Sequence, residues 1–159
     1  MDAIVTAGGI PRPEDPLYTY SHGDSKALID VAGKPMIQWV LDALGNAKQV
    51  DNVIIIGLSP KSGITCKRPI YYVSNQGRML ANIVAGVDKA LELNKRNKYV
   101  LVVSSDIPTL KSEMVDWLVH DYKMEPWTAH MLIGYQGQYD VVTVAGSMAL
   151  RLPRSALPR

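Results

Sequence analysis

One cysteine, almost no net charge and no long apolar run: these scarcities bound the sequence before any motif is read. The lone Cys66 leaves no intrachain disulfide and, with no Cys/His cluster around it, no zinc site. It reads as a half-buried structural thiol in a reducing compartment. Seventeen Lys and Arg against fifteen Asp and Glu leave a formal charge of +2, too little to point to nucleic acid or an anionic membrane surface. A small anion stays within reach, because it needs only local positive charge. No stretch approaches the roughly 20 apolar residues that span a bilayer. The opening residues carry neither a basic region nor a long apolar one, so no signal peptide is expected and a cytoplasmic location is.

What is there is the complement of a globular domain: 159 residues, 47% apolar and 20% charged, enough to bury a real core. Strand-like and helix-like segments alternate. Strands are expected near residues 3–7, 53–57, 70–73 and 99–104, where short β-branched or aliphatic runs end at glycine or a polar cluster. Helical spacing predicts helices over 36–44, 79–93 and 112–122. In the first, Pro35 takes the opening helical position and Gly45-Asn46 the stop. The second carries Met79, Leu80, Ile83, Val84, Val87 and Leu91 as its apolar face, and the third Met114, Val115, Leu118 and Val119. Residues 8–25 and 60–68 read as loops, the first long enough to expect a functional role. The alternation predicts an α/β fold, a three-layer sandwich on a mainly parallel sheet. Beyond Tyr122 the pattern weakens: 127–134 and 140–145 each read as a strand, and 151–159 has no period.

In open α/β sheets ligands gather at the carboxyl ends of the strands. The first such end delivers Ala7-Gly8-Gly9 and then Arg12. Its glycines either free backbone N–H groups to cradle an anion or simply turn the chain. Lys26, farther on, would add a mobile positive charge. A second end delivers Asn75-Gln76-Gly77, with Asn82 following on the helix; the amides of Gln76 and Asn82 either read a base edge or ribose hydroxyl, or are plain polar surface. A third delivers Asp106. A carboxylate straight after an apolar strand needs a partner. That partner is either Mg²⁺, which takes one or two carboxylates together with phosphate oxygens, or the backbone N–H groups of a turn before Pro108. Lys34 is a phosphate contact or a solvated turn lysine. His22, His120 and His130 lack metal-ligand spacing, and neither G-x-x-x-x-G-K-[ST], G-x-G-x-x-G nor G-x-S-x-G occurs.

Together, Ala7-Gly8-Gly9, Ser25-Lys26-Ala27-Leu28, Val31-Ala32-Gly33-Lys34-Pro35-Met36-Ile37 and Ser105-Asp106-Ile107-Pro108 resemble the nucleotidyltransferases of the glycosyltransferase-A-type fold. These include the sugar-1-phosphate nucleotidyltransferases and the molybdenum-cofactor guanylyltransferases. Order and spacing fit over about residues 2–122, and V-x-G-K-P-M-I is the most specific part. The resemblance implies a nucleotide-diphospho-sugar transferase-like fold and Mg²⁺-dependent transfer of a nucleotidyl group from a nucleoside triphosphate to a phosphorylated small-molecule acceptor, releasing pyrophosphate. Its alternative is a nucleotide-binding module without turnover.

Residue by residue, the resemblance implies that Ala7-Gly8-Gly9 wraps the triphosphate, with Arg12 near the β- and γ-phosphates. Lys26 would neutralise charge as the acceptor attacks the α-phosphorus, Gln76 and Gly77 would lie beside the base, and Asn82 close to base or ribose. Asp106 would bind the metal. Residues 1–122 would form the nucleotide-binding domain and 123–159 an atypical extension or tail of it. The first loop departs from the family's usual G-G-x-G-x-R course at Ile10-Pro11-Arg12-Pro13, and Ser25 stands where proline is common. Nothing after Tyr122 matches the family's acceptor-binding half, so the C-terminal part is expected to be truncated or atypical and to lack a second metal ligand. The sheet edge it would cover is expected to favour self-association.

Overall fold

A computed structural model describes residues 1–96 and 99–116, and the backbone of 138–142 and 147–151. In chain order its elements are β1 (Asp2–Thr6), α1 (Tyr18–Ser21), β2 (Asp30–Val31), β3 (Lys34–Pro35), α2 (Met36–Asn46), β4 (Val53–Ile56), β5 (Ile70–Val73), α3 (Met79–Leu93), β6 (Val100–Ser104), α4 (Ser112–Asp116), β7 (Gln138–Val142) and β8 (Ser147–Arg151). Single 3₁₀ turns occupy Lys26–Leu28 and Pro60–Ser62. The chain falls into two compact units, Met1–Ser112 and Glu113–Arg159. The second holds the antiparallel hairpin β7–β8, with Gln138 opposite Arg151 and Val142 opposite Ser147. The strand expected at 127–134, residues 117–122 of the third helix and the tail at 152–159 lie outside the described residues. No helix among the described residues is long and apolar enough to cross a membrane.

The first unit is built on one parallel sheet of order β5-β4-β1-β6. Parallel strands are stable when both faces are covered, which is why β4 is apolar at every position rather than alternating. All four of its residues, Val53 to Ile56, are fully buried. Ile4, Ile54 and Ile56 point to one face and close on Ala90 of α3, with Tyr71, Val73, Val87 and Val100 packed around them. Ala3, Val5, Val53 and Ile55 point to the other face and are equally buried. Burying such a side chain contributes about 2 kcal/mol, so these strands anchor the unit. The α2 stripe Ile37, Val40, Leu41 and Leu44 follows helical spacing and has no solvent exposure. With helices flanking a parallel sheet, the expected three-layer architecture is borne out.

The face expected for α3 holds at Val87, which packs against this core, and otherwise needs correction. In α3 the residues expected on the apolar face include Met79, Leu80, Val84 and Leu91, which are 70%, 73%, 51% and 41% exposed. The buried stripe is Asn82, Gly86 and Ala90. Small residues win this face because α3 lies very close to the sheet: a Cβ added at Gly86 would stand 2.7 Å from Ile4 Cγ2 and 3.0 Å from Ile56 Cδ1. Gly45 likewise does not stop α2, which runs on to Asn46. It packs closely instead: a Cβ there would stand 3.2 Å from both Cys66 Sγ and Lys67 N, so a neighbour would have to give by a few tenths of an ångström.

Pro35 does not open α2 either. It caps the helix in an extended conformation and belongs to the small hairpin β2–β3. Ala32 and Gly33 turn that hairpin with φ of 53° and 88°, and Asp30 Oδ1 accepts from Gly33 N at 3.0 Å. The family-like segment Val31 to Ile37 is thus a structural device that launches α2. Lys34 within it pairs with Asp42 and lies 3.7 Å over the Trp39 ring, whose Nε1 donates to Val31 O at 2.9 Å. Its charge is spent on holding the hairpin to the helix.

Candidate functional site

The register of the sheet decides what meets at its carboxyl edge. Thr6 stands level with Ile56 and with Ser104, and Ile56 with Val73. One or two residues beyond that row come Gly8, Gly57, Asn75 and Asp106. Residues scattered over a hundred positions are therefore neighbours in space because all four strands point the same way.

The first loop is shaped by residues on both of its sides. Ala7 N donates to Ile56 O at 2.8 Å, extending the ladder. Gly57 has φ of +96°, and a Cβ there would fall 2.3 Å from Gly8 Cα, so strand β4 ends flush against the loop backbone. Only glycine combines that conformation with that proximity. From the other side Ser25, buried, donates its Oγ to Ala7 O at 2.5 Å and accepts from Ala27 N at 3.2 Å. A serine where proline is common is thereby explained: it ties the loop to the 3₁₀ turn that carries Lys26. Lys26 N donates to Gly9 O at 2.9 Å, and the lysine stem lies along Gly9, where a Cβ would be 3.1 Å from Lys26 Cε. Arg12 sits farther along the same loop, exposed, its carbonyl accepting from Asp15 N at 2.8 Å.

At the end of the lysine stem, Lys26 Nζ lies 2.6 Å from Asp106 Oδ2. The other carboxylate oxygen accepts from Ser104 Oγ. Burial pushes the Asp106 carboxyl up, but the Lys26 and Ser104 hydrogen bonds and the Lys26 charge outweigh it, and the net shift is downward. Asp106 is therefore a carboxylate at neutral pH. The turn reading of this residue holds in part: its own backbone N–H in the turn bonds the carboxylate, and the Lys26 and Ser104 side chains partner one oxygen each. Lys26 and Asp106 are 36% and 32% exposed, so water screens the attraction and the pair is worth no more than about 1 kcal/mol. A polyanionic or cationic ligand can take it apart cheaply.

The end of β5 carries the amides. Asn82 is buried, and both ends of its side chain are bonded within the protein: Oδ1 accepts from Gln76 N at 2.6 Å and Nδ2 donates to Asn75 Oδ1 at 3.1 Å. Gln76 is exposed, with Nε2 donating to Ser74 O at 2.8 Å. Gly77 follows at φ of +80° with open space around it. Asn75, which sequence reading passed over as a neighbour of Gln76, is the hub. Its Oδ1 also accepts from Gly77 N at 2.9 Å, and its Nδ2 donates to Gly8 O at 3.1 Å. The signal was present in its position, since Asn75 follows β5 as Asp106 follows β6.

Cys66 stands apart from these residues in role. Its Sγ donates to Leu41 O at 3.3 Å, and burial pushes the thiol up, as suits a structural cysteine. Among the described residues no group of three or more His, Cys, Asp or Glu is arranged to hold a metal. Asp106 is the carboxylate available at the strand ends.

Comparisons with known proteins point the same way. The family described as MobA-like NTP transferase domain matches residues 3–157. A probable molybdenum cofactor guanylyltransferase of Thermococcus gammatolerans is 28% identical over 129 residues, covering 81% of this chain and 64% of that protein. One of the same description from Pyrococcus horikoshii is 28% identical, covering 76% and 55%. The chain thus spans between about half and two thirds of the length of these curated relatives. Among solved structures, a hypothetical transferase from Thermus thermophilus aligns with a TM-score of 0.58 at 35% identity, over 78% of this chain and 47% of that one. A 4-diphosphocytidyl-2C-methyl-D-erythritol synthase, 18% identical, aligns with a TM-score of 0.53 over 96% of this chain and 67% of that one and attests the fold alone.

Proposed function

Since this chain belongs to the family of MobA-like NTP transferase domains, we propose that it binds a nucleoside triphosphate at the strand ends and transfers its nucleotidyl group to a phosphorylated small-molecule acceptor. An acceptor phosphate oxygen bonds to the α-phosphorus, the bond from that phosphorus to the bridging oxygen breaks, and pyrophosphate leaves. The observation that supports this most is the convergence of a glycine loop, a lysine and a carboxylate, with Lys26 Nζ 2.6 Å from Asp106. The Ala7-Gly8-Gly9 backbone would hold the phosphates, with Arg12 reaching their outer end. Lys26 would leave Asp106 for the oxygens around the α-phosphorus, where negative charge is spread in the transition state. Gln76 and Gly77 would line the base. Guanosine triphosphate is the donor to test first and the molybdenum cofactor the acceptor, because the curated relatives carry that description.

A divalent cation fits this donor set. Magnesium takes one or two carboxylates and completes its shell with phosphate oxygens and water, and Asp106 is a half-buried carboxylate whose bonds to Lys26 and Ser104 are exchangeable. When bound, the ion supplies further positive charge at the triphosphate. A cytoplasmic setting suits such small-molecule chemistry.

The second reading is a nucleotide-binding module without turnover. Calorimetry with the four triphosphates and Mg²⁺, followed by pyrophosphate release with acceptor present, separates them. Binding with release supports transfer, binding without release supports the module, and no binding sinks both.

A further inference from the structure

We infer that Asn75 is a positioning residue that couples the base-side loop to the phosphate-side loop, with Asn82 as its buried support. The inference rests on the nucleotide-binding reading above. The sheet order places β4 between β5 and β1, so Asn75 and Gly8 follow strands about 10 Å apart at their axes. They nonetheless touch, through the 3.1 Å bond from Asn75 Nδ2 to Gly8 O. The intervening strand is followed by Gly57, which has no side chain to block the way.

Each part of the bridge is matched to the next. A Cβ on Gly8 would stand 2.7 Å from Asn75 Nδ2, so the space that glycine leaves empty is the space the amide fills. Asn75 Oδ1 receives both Gly77 N and Asn82 Nδ2. Asn82 Oδ1 in turn receives Gln76 N at 2.6 Å. The backbone of Gln76-Gly77 is thereby held by two amides, one of which also holds the loop at Gly8. A shift of one loop is transmitted to the other through a single side chain. Asn82, buried and bonded at both ends of its amide, fixes the rotamer of Asn75.

The consequence is that recognition of the base depends on the state of the phosphate loop. Calorimetry in Mg²⁺ with the four nucleoside triphosphates and with inorganic triphosphate tests it on the full chain. The wild-type protein should show a spread of affinities among the four bases. Asn75→Ala should shrink that spread by about five- to tenfold, the worth of one or two neutral hydrogen bonds. Lys26→Ala should weaken all five ligands together and leave the spread intact. Gly8→Ala approaches from the opposite side: it expels the Asn75 side chain while leaving every base-side residue chemically unchanged, and should shrink the spread likewise. If Asn75→Ala fails to fold, Gly8→Ala and Asn82→Asp, which keeps the acceptor for Gln76 N but loses the donor to Asn75, carry the test. An unchanged spread in the folded variants overturns the inference. Absence of nucleotide binding by the wild type instead overturns the functional reading on which it rests.

Discussion

Lys26 and Asp106, eighty residues apart in sequence, are joined by a 2.6 Å ion pair at the carboxyl edge of a parallel sheet. The pair is two-thirds shielded from water and one-third open, and that balance defines its use. It is strong enough to hold both groups in place without ligand, and weak enough to be exchanged for phosphate and metal.

Replacement of Lys26 by alanine should therefore act on rate more than on binding. Losing one preorganised charge at the reacting phosphorus is expected to slow turnover by about 100-fold. Nucleotide affinity should fall by only about fivefold, the scale of a screened surface charge. Single-turnover pyrophosphate release beside calorimetry reads the two effects separately; equal losses in both would remove Lys26 from the transition state.

Acid should expose the same pair. The Asp106 carboxyl is held below the ordinary carboxylate value in the folded chain. Its stabilising contribution is therefore present above the unfolded value, near 3.9, and is lost as pH falls through the folded one. Melting curves of wild type and Asp106→Asn should keep a constant separation from pH 7 to about 5 and converge below about 4. A separation that instead grows on acidification would contradict the ion pair.

Gly57→Ala is expected to be the most damaging small substitution at the site. It forces an L side chain into φ of +96° and places its Cβ 2.3 Å from Gly8 Cα. Since that neighbour is backbone, relief requires moving the phosphate loop, at a cost of about 2 kcal/mol or more. Urea denaturation should show the loss, and inorganic triphosphate binding should weaken with it.

The α3 surface offers a contrast of two substitutions. Gly86→Ala adds a methyl group 2.7 Å from Ile4 Cγ2, and the overpacking should exceed the roughly 1 kcal/mol that alanine gains over glycine in a helix. Leu80→Lys, at a residue 73% exposed, should change stability by less than about 0.5 kcal/mol. Thermal melts that reverse this order would restore the apolar face read from spacing.

The β-branched run at Val53–Ile56 and the glycine after β1 made the strands and their common edge legible; strand ends then drew attention to Gly8 and Asp106, and the family resemblance to Lys26. The boundaries of α3 were equally legible, its orientation not. Spacing weights large apolar residues, whereas close approach to the sheet selects Gly86 and Ala90. The same blindness turned Gly45 into a stop. Asn75 and Gly57 were missed because their roles exist only between strands: nothing local to either residue says that β4 lies between β5 and β1. Lys34 shows the converse, a motif lysine whose charge is absorbed by Asp42 and Trp39.

Strand β4 is paired on both sides and entirely buried. Amide protons of Ile54 to Ile56 can reach deuterium only when the whole unit opens, whereas those of the exposed residues beyond Gly9 need only a local fluctuation. The carboxyl edge is thus a boundary between slow and fast clocks, and Gly57 sits on it. A ligand settling there borrows the permanence of the slow side to still the fast one.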